Sequence, residues 1–210
     1  NGEIVTNQQL ILGWIDDIHI DIYKACTGKG LNFNSKFRQW FLNNIPDNAS
    51  VLDVGCATGI SLEFFQKAKK LIFYKGVDFV ARYIERAKKK FKNGNFEVAD
   101  GTNLSEKDES FDFVICNYLL DQVPDYRSFI KEGLRIAKKQ YIFSLFIPPW
   151  EKETFDECWN HSKYPSRSYV VHWNKQQLED FLKSFNYPIE IINLPQDHSF
   201  KWTIYRIIKS

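Results

Sequence analysis

The chain has 210 residues, of which 44% are hydrophobic and 16% aromatic, enough apolar surface to build one sizeable core. Its 28 lysines and arginines nearly balance its 26 aspartates and glutamates, so the charge gives no reason to expect nucleic acid or another polyanion as a partner. No apolar stretch reaches the roughly 20 residues that cross a bilayer, and the amino terminus lacks a signal-peptide pattern. We therefore expect a cytoplasmic protein with a small-molecule partner and no membrane contact.

The four cysteines, Cys26, Cys56, Cys116 and Cys158, are widely spaced and form no CxxC pair. We expect buried, reduced thiols rather than disulfides. The four histidines are scattered and form no H-x-x-x-H pattern, so the sequence predicts no metal site.

The first 45 residues are predicted to form a helical cap. Apolar residues repeat at helical spacing over 11–22 and predict an amphipathic helix. After a break at CTGKG the pattern recurs over 33–41, which predicts a second helix that ends before Pro46.

From Ser50 onward, short β-branched runs alternate with helical patterns: VLDVG, LIFYKGVD, FEVAD, FDFVICN and QYIFSLFI. This alternation predicts a doubly wound α/β fold, a mostly parallel sheet with helices on both faces. The final runs, PIEIINL and WTIYRIIK, are separated only by PQDHSFK. That link is too short for a helical crossover, so we expect an antiparallel pair.

An aromatic-rich insertion without clean periodicity occupies residues 148–173, after the fifth strand, and a helix capped by Asn174 follows it. Its large aromatic residues could line a binding pocket, although packing a small core of the insertion explains most of them better. These residues are Trp150, Phe155, Trp159, Tyr164, Tyr169 and Trp173.

The first strand ends in a turn of small residues, GCATG. Ligands of open α/β sheets bind beyond the carboxyl ends of the strands, usually at the first strand-to-helix turn. Glycine there permits positive φ or the close approach of a ligand. A dinucleotide fingerprint would place a glycine where Ala57 stands, between Gly55 and Gly59. This departure weakens the interpretation as a dinucleotide-dependent oxidoreductase.

Four motifs in order make the chain resemble the class I S-adenosylmethionine-dependent methyltransferase family over roughly residues 45–210. VLDVGCATG resembles the first motif with Ala57 in place of its middle glycine, and GVDFV, EVADGTNL and FDFVICNYLLDQVPD resemble the next three. The glycine pair usual before the fifth strand is missing from RIAKKQYIF. The resemblance implies a seven-stranded sheet whose antiparallel last strand inserts beside the fifth, and S-adenosylmethionine as the cofactor.

We accordingly divide one methyltransferase domain, residues 1–210, into a helical cap and three further parts. The cofactor-binding half is residues 46–147, the insertion is 148–173, and the final helix with the antiparallel pair is 174–210.

The resemblance also implies which residues bind the cofactor. Asp78 would accept hydrogen bonds from both ribose hydroxyls, and capping the following helix is its structural alternative. Asp53 would organise the first turn and face the cofactor's ammonium, or would bind only turn amides. The full predicted set is Asp53, Gly55, Cys56, Ala57, Gly59, Asp78, Phe79, Asp100, Gly101, Asn117 and Tyr118.

Within that set, Asp100 and Gly101 would hold the adenine edge and Phe79 its face. Asn117 and Tyr118 would approach the methionine end of the cofactor.

Methyl transfer is an in-line displacement on a sulfonium, so the protein mainly has to align the acceptor. A base is needed only if the acceptor arrives protonated. The candidates are His172, His161 and Asp121. Each has a structural alternative, as a neighbour of Trp173, a solvated loop residue and a helix end respectively.

The sequence therefore predicts a methyltransferase that acts on a small molecule, bound between the amino-terminal helices and the insertion. Methyl transfer to RNA or protein remains an alternative, although the lysine runs are typical of solvated helix faces. A non-catalytic cofactor-binding member of the fold is the other alternative, because one fold hosts many functions.

Overall fold

The computed structural model describes residues 36–145, 149, 151–158, 168–194 and 202–209. Its helices are α1 (Lys36–Asn44), α2 (Ile60–Lys67), α3 (Ala81–Lys90), α4 (Tyr126–Ile136) and α5 (Lys175–Lys183), with a short 3-10 turn at Leu120–Gln122. Its strands are β1 (Ala49–Val54), β2 (Ile72–Asp78), β3 (Asn95–Val98), β4 (Phe111–Asn117), β5 (Ala137–Leu145), β6 (Thr154–Cys158), β7 (Ser168–His172), β8 (Ile189–Leu194) and β9 (Trp202–Ile208).

Seven strands form one sheet in the order β3-β2-β1-β4-β5-β9-β8. Strands β1 to β5 pair in parallel, whereas β9 runs antiparallel to both β5 and β8. The order reverses between β1 and β4, which places the carboxyl ends of these strands at a crevice. The predicted fold class, a mostly parallel seven-stranded sheet with an antiparallel last strand, is confirmed.

Helices pack on both faces of the central strands, because successive side chains of a buried strand point to opposite faces. On one face α1 and α2 cover β1 and β4 through a cluster that includes Phe37, Phe41, Phe65, Val51 and Ile115. On the other face α4 and α5 cover β1, β4 and β5 through a cluster that includes Ile130, Leu178, Leu52, Val114 and Phe143.

The connection between β3 and β4 departs from the doubly wound pattern, because residues 99–110 contain no helix. The Arg135 side chain holds this loop: Nη1 donates to the Glu106 carbonyl and to Asp108 Oδ1, both at 2.7 Å. Phe73 of β2, on the face that such a helix would cover, is 69% exposed. The link from β3 to β4 is therefore a loop, although helices do cover both faces of the central strands as predicted.

The helical cap is described only in part. Helix α1 confirms the second predicted helix and ends at Asn44, before Pro46 as expected. The first predicted helix, over 11–22, lies outside the described residues, as does Cys26. Cys56 and Cys116 are buried free thiols.

The insertion contains an antiparallel hairpin, β6 with β7, in which Thr154 pairs with His172. No clean periodicity in the sequence of the insertion predicted these two strands. Trp173, which follows β7, is buried. Its indole Nε1 donates to the Leu120 carbonyl at 2.7 Å, and its ring meets Tyr126 edge-on at 4.4 Å. Trp173 therefore packs in the core. Trp150, Trp159 and Tyr164 lie outside the described residues.

None of the described helices has both the length and the apolar character that a membrane span requires.

Candidate functional site

The turn between β1 and α2 is built on three residues with left-handed backbone: Gly55 (φ 77°), Ala57 (φ 47°) and Gly59 (φ 80°). A Cβ at Gly55 would lie 2.8 Å from Leu119 Cδ2, so glycine is needed for space as well as for conformation. Ala57 adopts its positive φ despite its Cβ, at a cost of about 1 to 2 kcal/mol.

Asp78, the last residue of β2, ties this turn to the sheet. One carboxylate oxygen accepts from the Ala57 amide and the other from the Val80 amide, both at 2.9 Å. Helix α3 begins after Val80, so Asp78 is not its N-cap residue, although the carboxylate accepts from the amide of Val80. Burial raises the pKa of Asp78 to about 6, and the two backbone hydrogen bonds oppose that rise.

Asp53 lies two residues before Gly55 and is only 2% exposed. The Tyr74 hydroxyl donates to Asp53 Oδ2 at 2.6 Å, and the Ser61 side chain provides a second hydrogen bond. Burial raises the pKa of Asp53 to about 6, the two hydrogen bonds lower it, and the nearby charge of Asp78 raises it. The site thus holds two buried carboxyl groups, each adjoining the glycine-rich turn.

A cavity of about 120 Å³ opens beside Asp53, between helices α1 and α2 and the ends of β1 and β4. Five of its thirteen lining residues are aromatic, and its polar groups are a carboxylate, a guanidinium, two hydroxyls, an amide and a thiol. The lining residues are Phe37, Arg38, Phe41, Asp53, Gly55, Cys56, Ile60, Ser61, Phe64, Phe65, Ile115, Asn117 and Tyr118.

Five of the predicted cofactor residues line this cavity: Asp53, Gly55, Cys56, Asn117 and Tyr118. The Ser144 hydroxyl donates to Asn117 Oδ1 at 3.2 Å, so the side chain of Asn117 is held against β5.

Tyr118 adopts a positive φ of 58°, and its ring lies 5.0 Å from that of Phe37. This contact joins the end of β4 to helix α1.

The remaining predicted residues follow β2 and β3. Phe79 is 39% exposed. Asp100 is exposed, and its Oδ1 accepts from both the amide and the hydroxyl of Thr102, at 2.9 and 2.8 Å. Gly101 is buried, and a Cβ there would lie 2.5 Å from the Phe129 ring, so glycine at this position is required for packing.

The sequence placed the predicted acceptor pocket beside the amino-terminal helices but identified none of the residues of α1 that line the cavity. Phe37 and Phe41 repeat at helical spacing and were interpreted only as the buried face of a cap helix, yet they also form part of the cavity wall. Arg38 lines the same cavity, with its Cζ 5.8 Å from the centre of the Phe64 ring. The sequence did contain a signal: Arg38 directly follows Phe37, on the apolar side of a predicted helix.

The two candidate bases that the structure describes, Asp121 and His172, do not line this cavity. Asp121 is fully buried in the 3-10 turn, and His172 is half-buried at the end of β7. His161 lies outside the described residues. Across the part of the chain that the structure describes, no group of three or more His, Cys, Asp or Glu residues could hold a metal ion.

The family model described as "Methyltransferase domain" matches residues 45–186, more than half of the chain. The chain belongs to this methyltransferase family. A demethylmenaquinone methyltransferase from Bacillus velezensis is 35% identical over 101 residues, 45% of this chain and 43% of that protein. The chain thus spans less than half the length of that relative. A ubiquinone/menaquinone biosynthesis C-methyltransferase from Rickettsia rickettsii is 26% identical over 171 residues, 74% of this chain and 69% of that protein.

Solved methyltransferases share the fold. Magnesium protoporphyrin IX methyltransferase from Synechocystis PCC 6803, with bound S-adenosylmethionine, has a TM-score of 0.68 at 16% identity and covers all of both chains. A methyltransferase from Methanosarcina mazei, described as dependent on the same cofactor, has a TM-score of 0.65 at 20% identity, covering 80% of this chain and 96% of that one. The predicted membership of the methyltransferase family is confirmed.

We expect Ala57→Gly to raise the free energy of unfolding by about 0.5 to 1 kcal/mol. Relief of the left-handed strain exceeds the extra entropy that glycine gives the unfolded chain. Urea unfolding measures the change. Ala87→Gly, inside helix α3, is the matched control and should be destabilising. A loss of stability in Ala57→Gly would show that the alanine is unstrained.

We expect Asp53→Asn to stabilise the unliganded protein by about 1 to 3 kcal/mol at pH 7.5. The pKa of Asp53 is raised above its ordinary value, so the folded state binds more protons than the unfolded state between about pH 4 and 6. Wild-type stability at this site therefore falls as the pH rises through that window. The side-chain amide of asparagine resembles the protonated carboxyl group and carries no charge, so the variant does not lose stability as the pH rises.

Urea unfolding at pH 4.5 and pH 7.5 tests this expectation, because the gain should shrink greatly at the lower pH. Asp112→Asn is the control of opposite sign. The pKa of Asp112 is lowered by hydrogen bonds from Ser50 and Lys139, so this variant should lose stability at pH 7.5. An Asp53→Asn variant that is less stable than wild type at pH 7.5 would contradict the assignment.

Proposed function

We propose that the protein transfers a methyl group from S-adenosylmethionine to a small-molecule acceptor. The observation that carries the proposal is the aromatic cavity at the carboxyl ends of β1 and β4, with the carboxylate of Asp53 beside the glycine-rich turn. The fold's point of strand reversal is where ligands of open α/β sheets bind. S-adenosylmethionine is the cofactor, and it supplies the electrophilic methyl carbon.

In this proposal Asp78 binds the cofactor's ribose. Its two oxygens each accept one backbone amide, and each has a second lone pair for a ribose hydroxyl. The turn that Asp78 holds is the one over which the ribose would pass. The same carboxylate therefore shapes the site and would contact the ligand.

The two ends of the cofactor would lie on either side of Asp78. Asp53 would pair with the ammonium in the enclosed cavity. Phe79 and Asp100, which follow neighbouring strands, would contact the face and edge of the adenine. Asp100 already accepts from Thr102, which fixes its orientation.

A small acceptor is supported by the cavity and by the relatives. Phe37, Phe64 and Tyr118 give the cavity an aromatic wall of the kind that packs against flat, apolar molecules. The names of these similar proteins refer to demethylmenaquinone, to ubiquinone and menaquinone, and to magnesium protoporphyrin IX. These are small ring compounds rather than macromolecules.

We expect Asp78→Ala to weaken adenosylhomocysteine binding about 30-fold or more, since two hydrogen bonds to a charged group are lost. Titration calorimetry measures the affinity. Asp112→Asn, at the start of β4 and away from the crevice, is the control and should bind as wild type does. Tighter binding of NAD than of adenosylhomocysteine by the wild-type protein would contradict the proposed cofactor site.

His172 is our candidate for a base, because Asp121 is fully buried whereas His172 is half-buried at the end of β7; since it lies outside the cavity wall, it would act on an acceptor that extends from the cavity toward the insertion. We expect His172→Gln to lower methyl transfer at least about 100-fold while cofactor affinity stays near wild type. The assay uses radiolabelled S-adenosylmethionine and fractionated cell extract. Label in low-mass material supports a small acceptor, whereas label in RNA or protein, or none, contradicts it. An unchanged transfer rate would mean that His172 is structural.

A further inference from the structure

Tyr74 donates a hydrogen bond to Asp53, the buried acid that lines the cavity. It lies on β2 opposite Val51 of β1, one inward-facing position before Gly76, which pairs with Asp53. Its hydroxyl reaches across to Asp53 Oδ2 at 2.6 Å. On its other side the Phe96 ring meets it edge-on, with ring centres 5.8 Å apart. The ring is therefore fixed between two strands, and its hydroxyl can serve Asp53 without rearrangement.

Tyr74 does not line the cavity that Asp53 lines. It borders a separate surface groove between the end of α3 and the start of β3, together with Leu62 and Phe91. Its ring packs against the same apolar clusters as several lining residues, whereas its hydroxyl reaches the cavity through Asp53, to which it donates. This separation makes the role testable, because removing the Tyr74 hydroxyl takes no atom from the cavity wall.

We propose that Tyr74 is a positioning residue for the amino-acid end of the cofactor: its hydrogen bond orients Asp53 and keeps it ionised, so that the carboxylate can bind the cofactor's ammonium. The proposal rests on the proposed function and deepens it. It assigns a role to a mid-strand tyrosine that lies outside all four sequence motifs.

The electrostatics around Asp53 explain why a second donor matters there. Burial favours the neutral acid, and Asp78 at the end of β2 adds a like charge; Tyr74 and Ser61 of α2 are the donors that lower the pKa of Asp53. Arg38 of α1 lines the same cavity. The buried thiols of Cys56 and Cys116 interact electrostatically with Asp53, and burial raises the pKa of each, so both are neutral.

Loss of the Tyr74 hydroxyl would leave Ser61 as the remaining side-chain donor among the groups that set this pKa. The pKa of Asp53 would rise from about 6 toward neutrality. A protonated Asp53 carries no charge for an ammonium group, so binding of the cofactor's amino-acid end would weaken, most of all below neutral pH.

The test compares two ligands that differ at the amino-acid end. Adenosylhomocysteine carries the ammonium, whereas 5′-methylthioadenosine keeps the adenosine and lacks it. For full-length Tyr74→Phe we expect adenosylhomocysteine affinity to fall about fivefold or more at pH 6, where a rise of about one unit in the pKa of Asp53 changes its ionised fraction most, with 5′-methylthioadenosine affinity unchanged within about twofold. The acid limb of adenosylhomocysteine binding should shift upward by about one pH unit.

Two further variants keep the result interpretable. Tyr141→Phe removes another buried hydroxyl, one that faces Cys116, and should leave both affinities unchanged. Ser61→Ala removes the second donor to Asp53 and should give the same ligand-selective loss even if Tyr74→Phe does not fold. In Asp53→Asn, which has no carboxylate to orient, adding Tyr74→Phe should cause no additional loss.

Equal losses for both ligands in Tyr74→Phe, or no loss in a folded variant, would overturn the role of Tyr74 alone. Failure of the wild-type protein to bind adenosylhomocysteine would overturn the proposed function and this inference together. The two failures are therefore distinguished by the wild-type titration.

Discussion

The site depends on the hydrogen bonds that Asp78 accepts from the amides of Ala57 and Val80. The turn after β1 has three left-handed residues, and within it the Gly59 amide donates to the Cys56 carbonyl at 2.9 Å. Two further bonds hold it, from the Gly55 and Cys56 amides to the Val77 carbonyl. Together they fix the backbone of the turn to the end of β2, so the ends of the two strands form one rigid surface.

This arrangement has an energetic cost that a purely structural protein would avoid. Asp53 and Asp78 are both buried, and burial raises the pKa of each to about 6. At neutral pH both carboxyl groups are mainly ionised, and their like charges repel each other. A buried carboxylate without a cation is destabilising unless hydrogen bonds compensate it. The chain supplies such bonds from Ala57, Val80 and Tyr74, and a cationic ligand would supply the remainder. Perturbed acids in a cleft are typical of functional sites for this reason.

The sequence predicted the elements whose residues interact locally. The strand runs, the glycine-rich turn and the antiparallel β8–β9 pair follow from hydrophobic alternation and link length, and the structure confirms them. The contact of Tyr74 with Asp53 and the place of Arg38 in the cavity wall were not predictable in this way. Tyr74 occupies a strand position that β propensity alone explains. Its partner lies on another strand, and only the register of β1 on β2 brings the two together.

The sequence did not predict the hairpin of the insertion or the absence of a helix between β3 and β4. The link between β3 and β4 depends on contacts distant in sequence. The loop over residues 99–110 is stabilised by Arg135, about thirty residues farther along the chain from the carbonyl of Leu104 and that of Glu106. Glu132 accepts from the Leu104 amide at 2.7 Å. Ion pairs and amide contacts of this kind replace a helix without leaving a periodic pattern for sequence reasoning to find.

In the proposed site the amino-acid end of the cofactor would be more enclosed than the adenine, because the two ends would be bound by different interactions. The charged amino-acid end would enter a cavity whose acid is buried and oriented, because charge pairing is strong only where water is excluded. The adenine would instead lie across the ends of β2 and β3, where Phe79 is 39% exposed and Val98 is 49% exposed. Apolar contact needs area rather than enclosure. Asp78, between the two regions, would then bind the ribose at their boundary. The contacts that the exposed adenine makes would in this way help to position the charged amino-acid end of the cofactor in the cavity.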